Sequence, residues 1–348
     1  MAEATKSSEE LARAHAPALR GGLALPAGLG LAALLVTAAL LGPLGRGVDP
    51  RRQLDPAHAA HLPPGARIES LRLADGRELA AERIEIDAEG ARLVRAGSEQ
   101  RVPLAEIAGP AGESPASPIR TESFPLGTDR FGRDLAARLL AGGRVSLAVA
   151  ALAVALSLAV GVPVGLAAGL AGPRWERAAL GLIEAAQAFP RLFLLIALAA
   201  VAPPGLAPVV LLLGLTGWMP VARLVRAEVR SLAGRDFVLA ARAAGVGPLR
   251  LALRHLLPNA LAPVAIEGSL AAASAIVAEA TLSFLGLGLP PPTPSWGGMI
   301  ADGRDVLAGA WWVAVFPGLA LAAAALAFNL IGEGLRDRLD PRGRRLEA

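Results

Sequence analysis

Apolar residues fill six stretches of this chain almost without interruption: 23–44, 145–170, 178–202, 207–227, 260–285 and 309–332. A helix needs about 20 apolar residues to cross about 30 Å of hydrocarbon. The pattern therefore predicts an all-α polytopic membrane protein with six transmembrane helices. Only Ala202-Pro203-Pro204-Gly205 separates the third run from the fourth, and such a turn makes the two a helical hairpin. The first run is longer than the apolar core of a secretory leader. The residues before it, 1–22, carry acidic as well as basic side chains, so the run reads as a retained anchor.

The polar stretches follow other periods. Between 45 and 122, Ile84 and Ile86 alternate with Arg83, Glu85 and Asp87, the period of a strand. Short apolar runs recur at Leu71 and Leu73, Leu93 and Val94, and Val102 and Leu104. Turns are signalled at Asp75-Gly76, Glu89-Gly90 and Gly97-Ser98. A small β-rich insert of three or four strands is predicted, flanked by proline-rich linkers at 50–64 and 109–118. It is either a decoration or a docking surface for a partner. Over 123–143, Phe131, Leu135 and Leu139 recur every four residues while Arg130, Arg133, Asp134 and Arg138 take other faces. With Thr128 as its cap, this reads as an amphipathic helix on the membrane surface. The core, 144–335, holds spans two to six, and 336–348 is a tail.

One polar segment of the core, 228–258, is long and patterned. Asp236 is placed to cap a helix, Gly245 to end it in a left-handed turn, and Gly247-Pro248 to start another. Two short helices at an angle are expected. Ala240, Ala241, Ala243, Ala244 and Gly245 offer little bulk, so another surface can approach closely. Arg242, Arg250 and Arg254 can meet acidic or carbonyl groups. The segment is either a docking surface or an amphipathic connector on the inner leaflet.

Composition narrows the chemistry. At 348 residues and 54% hydrophobic, the chain is too apolar for an ordinary soluble protein. There is no cysteine, which excludes disulfides and thiol chemistry. Lys6 is the only lysine, so no phosphate-binding G-x-x-x-x-G-K-S/T loop exists further along. If ATP drives this protein, another chain hydrolyses it. Neither G-x-S-x-G nor H-E-x-x-H occurs, and His15, His58, His61 and His255 are scattered, which argues against an enzyme. The pI near 10.8 does not signal nucleic acid, because the arginines sit beside apolar spans. Their distribution also sets orientation. Lys6, Arg13 and Arg20, then Arg174 and Arg177, the arginines of 223–254, and Arg336 to Arg345 fall on one side. That places both termini and the 228–258 segment in the cytoplasm.

Four motifs then converge. PLGTDRFGRD (125–134) resembles a motif preceding the second span in permeases of peptide and nickel ABC importers. AARAAG (240–245) followed by LRHLLPN (253–259) resembles the cytoplasmic EAA loop of importer permeases, with Leu239 where the motif has its glutamate. EATLSFLGLGLPPPTPSWGGMI (279–300) and FNLIGEGLRDRLDPR (328–342) resemble the end of the same family's C-type subunit. The resemblance implies the type I ABC importer permease fold in a bacterial inner membrane. It implies half of a translocation pathway for di- or oligopeptides, with nickel or another small solute as the alternative. An ion-coupled secondary transporter is the runner-up class. The family resemblance implies a second homologous permease, two P-loop ATPases and an extracytoplasmic solute-binding protein as partners. No cofactor belongs to the chain itself, since the ATPases bind ATP. The coupling loop would use Asp236, Ala240, Ala241, Arg242, Gly245, Arg250, Arg254 and Pro258.

Polar groups within or near the spans are Glu184, Arg191, Glu267, Glu279 and Asn329. Such groups are costly in lipid and face a bundle interior or a wet cavity. They either line the substrate path or satisfy one another and helix ends. Gly161, Gly165 and Gly169 suggest close helix packing. Trp311 and Trp312 read as an interfacial belt. Residues 290–296 are too rich in proline for a helix.

Overall fold

The computed structural model describes residues 23–95, 98–107, 119–170 and 172–339. The expectations for residues 1–22, Gly97, the 109–118 linker and 340–348 lie outside the described residues. The first apolar run forms the 23-residue helix α1 (Ala24–Arg46), closed by Gly47 in the left-handed region at φ 63°. Further helices long and apolar enough to span a membrane are α3 (Leu135–Leu170), α6 (Leu206–Ala233), the continuous stretch Pro248–Phe284 and α11 (Trp312–Leu339).

The third run departs from expectation. It divides into α4 (Pro173–Gln187) and α5 (Arg191–Val201), bent by 77°, and makes a sixth span only if the bent pair counts as one. Pro190 has no N–H to continue the helical ladder and disfavours the α region for Phe189. Besides, α4 carries Arg174, Glu176, Arg177 and Glu184, too much charge for a lipid-facing helix. Glu176 instead accepts from Arg226 Nε of α6 at 3.0 Å.

Helices α3 and α6 pack backbone to backbone along a glycine stripe. A Cβ built on Gly161 would lie 2.7 Å from the Trp218 carbonyl, and one on Gly165 2.6 Å from that of Ala222. One on Gly169 would meet Val229 Cγ1 at 2.6 Å. Lipid tails are as apolar as leucine, so this close approach supplies van der Waals contact that burial alone does not give in a bilayer.

The insert after α1 is β-rich, as its alternation predicts, but it has more strands than expected. The short helix α2 (Pro56–Ala59) precedes β1 (Ala66–Arg72), β2 (Glu78–Ala81), β3 (Arg83–Asp87), β4 (Gly90–Arg95), β5 (Ser98–Pro103) and β6 (Ile119–Phe124). They form two antiparallel three-stranded sheets, β2-β1-β6 and β3-β4-β5. Leu71 and Leu93 are fully buried between them with Ile84, Val102 and Ile107. Each such side chain contributes about 1.5–3 kcal/mol. Arg95, also buried, pairs with Asp55 at 2.9 Å and donates from Nε to the Ala80 carbonyl.

No surface helix spans 123–143. Residues 128–134 form a tight turn instead. Asp129 Oδ1 accepts from the Phe131 and Arg133 amides at 2.9 and 3.1 Å, and Gly132 has φ +69°. The cap of the following helix is Asp134, which accepts from the Ala136 amide at 2.9 Å, rather than Thr128. Helix α3 then runs from Leu135 straight into the second span. Of the charged positions read as a wet face, Arg133 and Arg138 point into a buried ion-pair cluster, while Arg130 stays half exposed. Trp312 also differs from the expected belt. It is buried, and its Nε1 donates to the Thr128 carbonyl at 3.4 Å, while Trp311 stays half exposed.

Candidate docking surface and intramembrane cavities

The segment after α6 begins with Arg235 in an extended conformation, and α7 (Asp236–Ala243) follows. Asp236 makes no capping hydrogen bond; it occupies the first turn, where a carboxylate complements the helix dipole. Helix α7 stops as its glycine predicts. Gly245 takes φ +78°, its amide donates to the Arg242 carbonyl, and Val246 N–H reaches back to Ala241 at 3.1 Å. This is a Schellman closure, which satisfies carbonyls that the helix end leaves free. Pro248 starts α8 (Pro248–Leu251) at its first turn. The second short helix does not end there. A π-helical turn over Ala252–Leu256 joins it to α9 (Leu257–Phe284), so the segment runs into the fifth span as one rod.

The segment has two faces. Val238, Leu251 and Leu256 are buried against Val221, Val225, Val229 and Leu232 of α6 and Leu166 of α3. This anchors the segment to the ends of two spans. On the other face Phe237, Leu239, Leu249 and Leu253 are exposed, Leu249 to 72%. Arg242, Arg250, Arg254, Ala240 and Gly245 are exposed beside them, as is Pro258, while Ala241 is half-buried. Among the described residues none of these three arginines has an ion-pair partner. Contiguous exposed leucines rimmed by free arginines mark an interaction surface. Leu239, at the motif's glutamate position, lies on this face at 50% exposure.

The intramembrane polar groups separate into three environments. Glu184 sits on the exposed side of α4. Glu279 is fully buried and accepts from Ser146 at 3.1 Å and Ser283 at 2.7 Å. Ser146 in turn accepts from the Trp296 amide, tying α3 and α9 to α10 (Trp296–Gly303). Arg191, Glu267 and Asn329 instead line cavities. One of about 450 Å³ lies between α5, α9 and α11, with Arg191, Ser274, Thr281 and Asn329 in its wall. A second of about 130 Å³, between α3, α6 and α9, is lined by Arg191, Ser157, Glu267 and Ser274. Ser157 and Ser274 carry no sequence signal beyond being hydroxyls in apolar runs.

A further cluster went unread in the sequence. Asp129 Oδ2 lies 2.6 Å from Arg133 Nε and 3.3 Å from Arg138 Nε. Asp302 of α10 completes the group, 3.0 Å from Arg130 and 3.5 Å from Arg133. Thr128 beside it donates to the Ala59 carbonyl and accepts from the Leu62 amide at 2.8 Å. This cluster fixes the insert to the start of α3 and to α10. The repeated Asp and Arg of the 129–138 stretch was the available signal, but Asp302 is remote in sequence.

Residues 161–345 match the family described as binding-protein-dependent transport system inner membrane component. The chain is 46% identical over 217 residues to the dipeptide transport system permease protein DppC of Escherichia coli (strain K12), covering 62% of this chain and 72% of that protein. It is 44% identical over 219 residues to the di/tripeptide transport system permease protein DppC of Pseudomonas aeruginosa (strain UCBPP-PA14), covering 63% and 72%. A solved structure of the MetNI methionine ABC transporter, facing inward, aligns with 57% of this chain and 96% of the compared chain at 17% identity and a TM-score of 0.45.

Proposed function

This chain belongs to the family of binding-protein-dependent transport system inner membrane components, and from that premise we propose that it is the permease subunit of an ATP-driven importer of di- or oligopeptides. The names of its relatives support peptide over nickel or another small solute. Half of the translocation pathway comes from this chain and half from a second, homologous permease. ATP is bound and hydrolysed by two separate P-loop ATPases, and the chain carries no cofactor of its own. An extracytoplasmic binding protein delivers the cargo. Both termini and the 228–258 segment face the cytoplasm, an orientation supported by the arginine distribution.

The observation that carries the coupling role is the two-faced segment from Asp236 to Pro258. Its inner face is locked to α3 and α6 by Val238, Leu251 and Leu256, while its outer face leaves leucines and arginines unpartnered. A rigid-body movement of an ATPase held on the outer face passes directly into the spans. Because the glutamate of the motif is absent, docking rests on apolar fit around Leu239 and on Arg242, Arg250 and Arg254. Arg242→Glu combined with Arg250→Glu is expected to weaken co-purification with the ATPase subunits by about tenfold or more at low salt, with the difference from the wild type shrinking as salt rises. Undiminished recovery of the ATPases with this double variant would exclude the docking role.

A further inference from the structure

Arg191 and Glu267 are ionisable groups in or beside spanning helices, and neither has an ion-pair partner within 4.0 Å among the described residues. The fold satisfies such groups elsewhere: Glu279 holds two serine hydroxyls, and Arg226 is paired with Glu176. Yet Arg191 and Glu267 line one and the same cavity of about 130 Å³. They come from different elements, Arg191 at the start of α5 and Glu267 within α9. Arg191 and Ser274 also line the adjoining cavity of about 450 Å³, so the two spaces share a wall.

An unpaired charge at membrane depth is costly and persists where it meets water or a ligand. One cation and one anion across a shared space complement a small zwitterion. The break before α5 adds to the cationic side: its first-turn amides have no side-chain cap, and a helix N-terminus favours a carboxylate. The two adjoining spaces, about 130 and 450 Å³, together reach the size that holds a small organic ligand.

We propose that Arg191 and Glu267 form a transit site for the two termini of a short peptide, Arg191 meeting the α-carboxylate and Glu267 the α-ammonium, with the Ser274 hydroxyl between them. This rests on the peptide-import reading above and gives it a recognition step within the pathway itself. Such a site selects for free termini and accepts varied side chains, which project into the larger cavity.

The test uses the complete complex of this chain with its permease, ATPase and binding-protein partners, reconstituted in vesicles and supplied with radiolabelled alanylalanine. Arg191→Gln and Glu267→Gln are each expected to lower the uptake rate about tenfold, the scale of one lost hydrogen bond to a charged group, with the full complex still co-purifying. Arg191→Lys, which keeps the cation, is expected to recover most of the rate. Uptake at the wild-type rate by both glutamine variants overturns the transit site. So does a lysine variant no better than glutamine, or uptake and assembly falling together, because either marks a structural role. A wild-type complex that hydrolyses ATP but takes up no alanylalanine overturns the peptide reading itself, a failure separate from that of the two residues.

Discussion

The Leu257 amide donates to the Ala252 carbonyl, five residues back, where a regular helix would bond four back. This π-helical turn lies at the junction between the exposed segment and the fifth span. Its cause is Pro258, which has no N–H and clashes with the carbonyl four residues before it inside a helix. Widening one turn resets the ladder, so that Pro258 falls in the first turn of α9, where proline is tolerated. Asn259 Nδ2 then donates to the His255 carbonyl at 2.6 Å, covering a group near the wide turn. Wide turns of this kind are frequent at functional sites. Pro258→Ala is expected to change thermal stability by less than about 1 kcal/mol. It should lower ATP-coupled import about fivefold, a loss on the scale of typical coupling energies. Import at the wild-type rate would show that the turn transmits nothing.

Val238 and Leu239 are neighbours with opposite environments, the first fully buried and the second 50% exposed. Val238→Asp places a charge against Val225 and Leu232 without a partner, and is expected to cost about 3–5 kcal/mol. Leu239→Glu restores the glutamate of the motif on a wet face and is expected to stay within about 0.5 kcal/mol. Thermal unfolding of the two purified variants in detergent checks the pair. Equal destabilisation would mean that the segment does not present the two faces described.

Features set by local chemistry were legible in the sequence. Gly245 in a left-handed turn and Pro248 at a helix start follow from φ preferences within a few residues, and the insert's alternation at Ile84 and Ile86 marks strand β3, although Ile84 is buried and Ile86 is exposed. Misreadings came where distant partners decide. Phe131, Leu135 and Leu139 have helical spacing, but Arg133 and Arg138 turn inward onto Asp129 and onto Asp302, the second of which is far along the chain. Pro190 is a local break signal, but the apolar length of 178–202 reads as one span, and only the contact of Glu176 in α4 with Arg226 in α6 sets the first half apart. Glu279 differs from Glu267 through Ser283, one turn on, and through Ser146, far along the chain, which reach only the former.

The glycine stripe of α3 gives a sharp contrast within one residue type. Gly165→Ala would bring its methyl to 2.6 Å from the Ala222 carbonyl, a backbone atom that cannot swing away. The two helices must separate, at about 1–3 kcal/mol for an overpacked contact. Gly181→Ala on α4 meets nothing within 4 Å. It is expected to be neutral or to stabilise by about 0.5–1 kcal/mol through helix propensity. Melting temperatures in detergent distinguish the two; a similar shift for both would contradict the packing.

In the insert, Asp87 is held below its ordinary value of 3.8, chiefly by the hydrogen bond from the Glu89 amide and further by Arg101. A carboxyl whose folded value is depressed stabilises fully above the unfolded value. That contribution is lost as pH falls through the lower, folded one. The β3–β4 turn should therefore loosen below pH 3.8. Hydrogen exchange at the Glu89 and Gly90 amides of the full chain, corrected for intrinsic rates, is the measurement. Protection should drop in that range for the wild type and show no such transition in Asp87→Asn.

Asp129 tests what fastens the insert to the membrane core. Its carboxylate is 2% exposed and lies within ion-pair distance of Arg133 and Arg138, themselves 4% and 5% exposed. Asp302 also lies near these guanidinium groups, but its distances of 3.5 and 3.6 Å are longer. Removing one partner of a buried pair leaves charge without compensation, so Asp129→Asn is expected to cost about 3–5 kcal/mol. Arg130, 50% exposed, pairs with the same Asp302 at the surface, and Arg130→Ala should cost less than about 1 kcal/mol. Limited proteolysis adds the geometric readout. Loss of the cluster should expose the junction between 124 and 134 to cleavage in Asp129→Asn, while Arg130→Ala resists like the wild type. Resistance of both variants, with unchanged melting, would mean that the sheets hold their place on α3 and α10 without these charges.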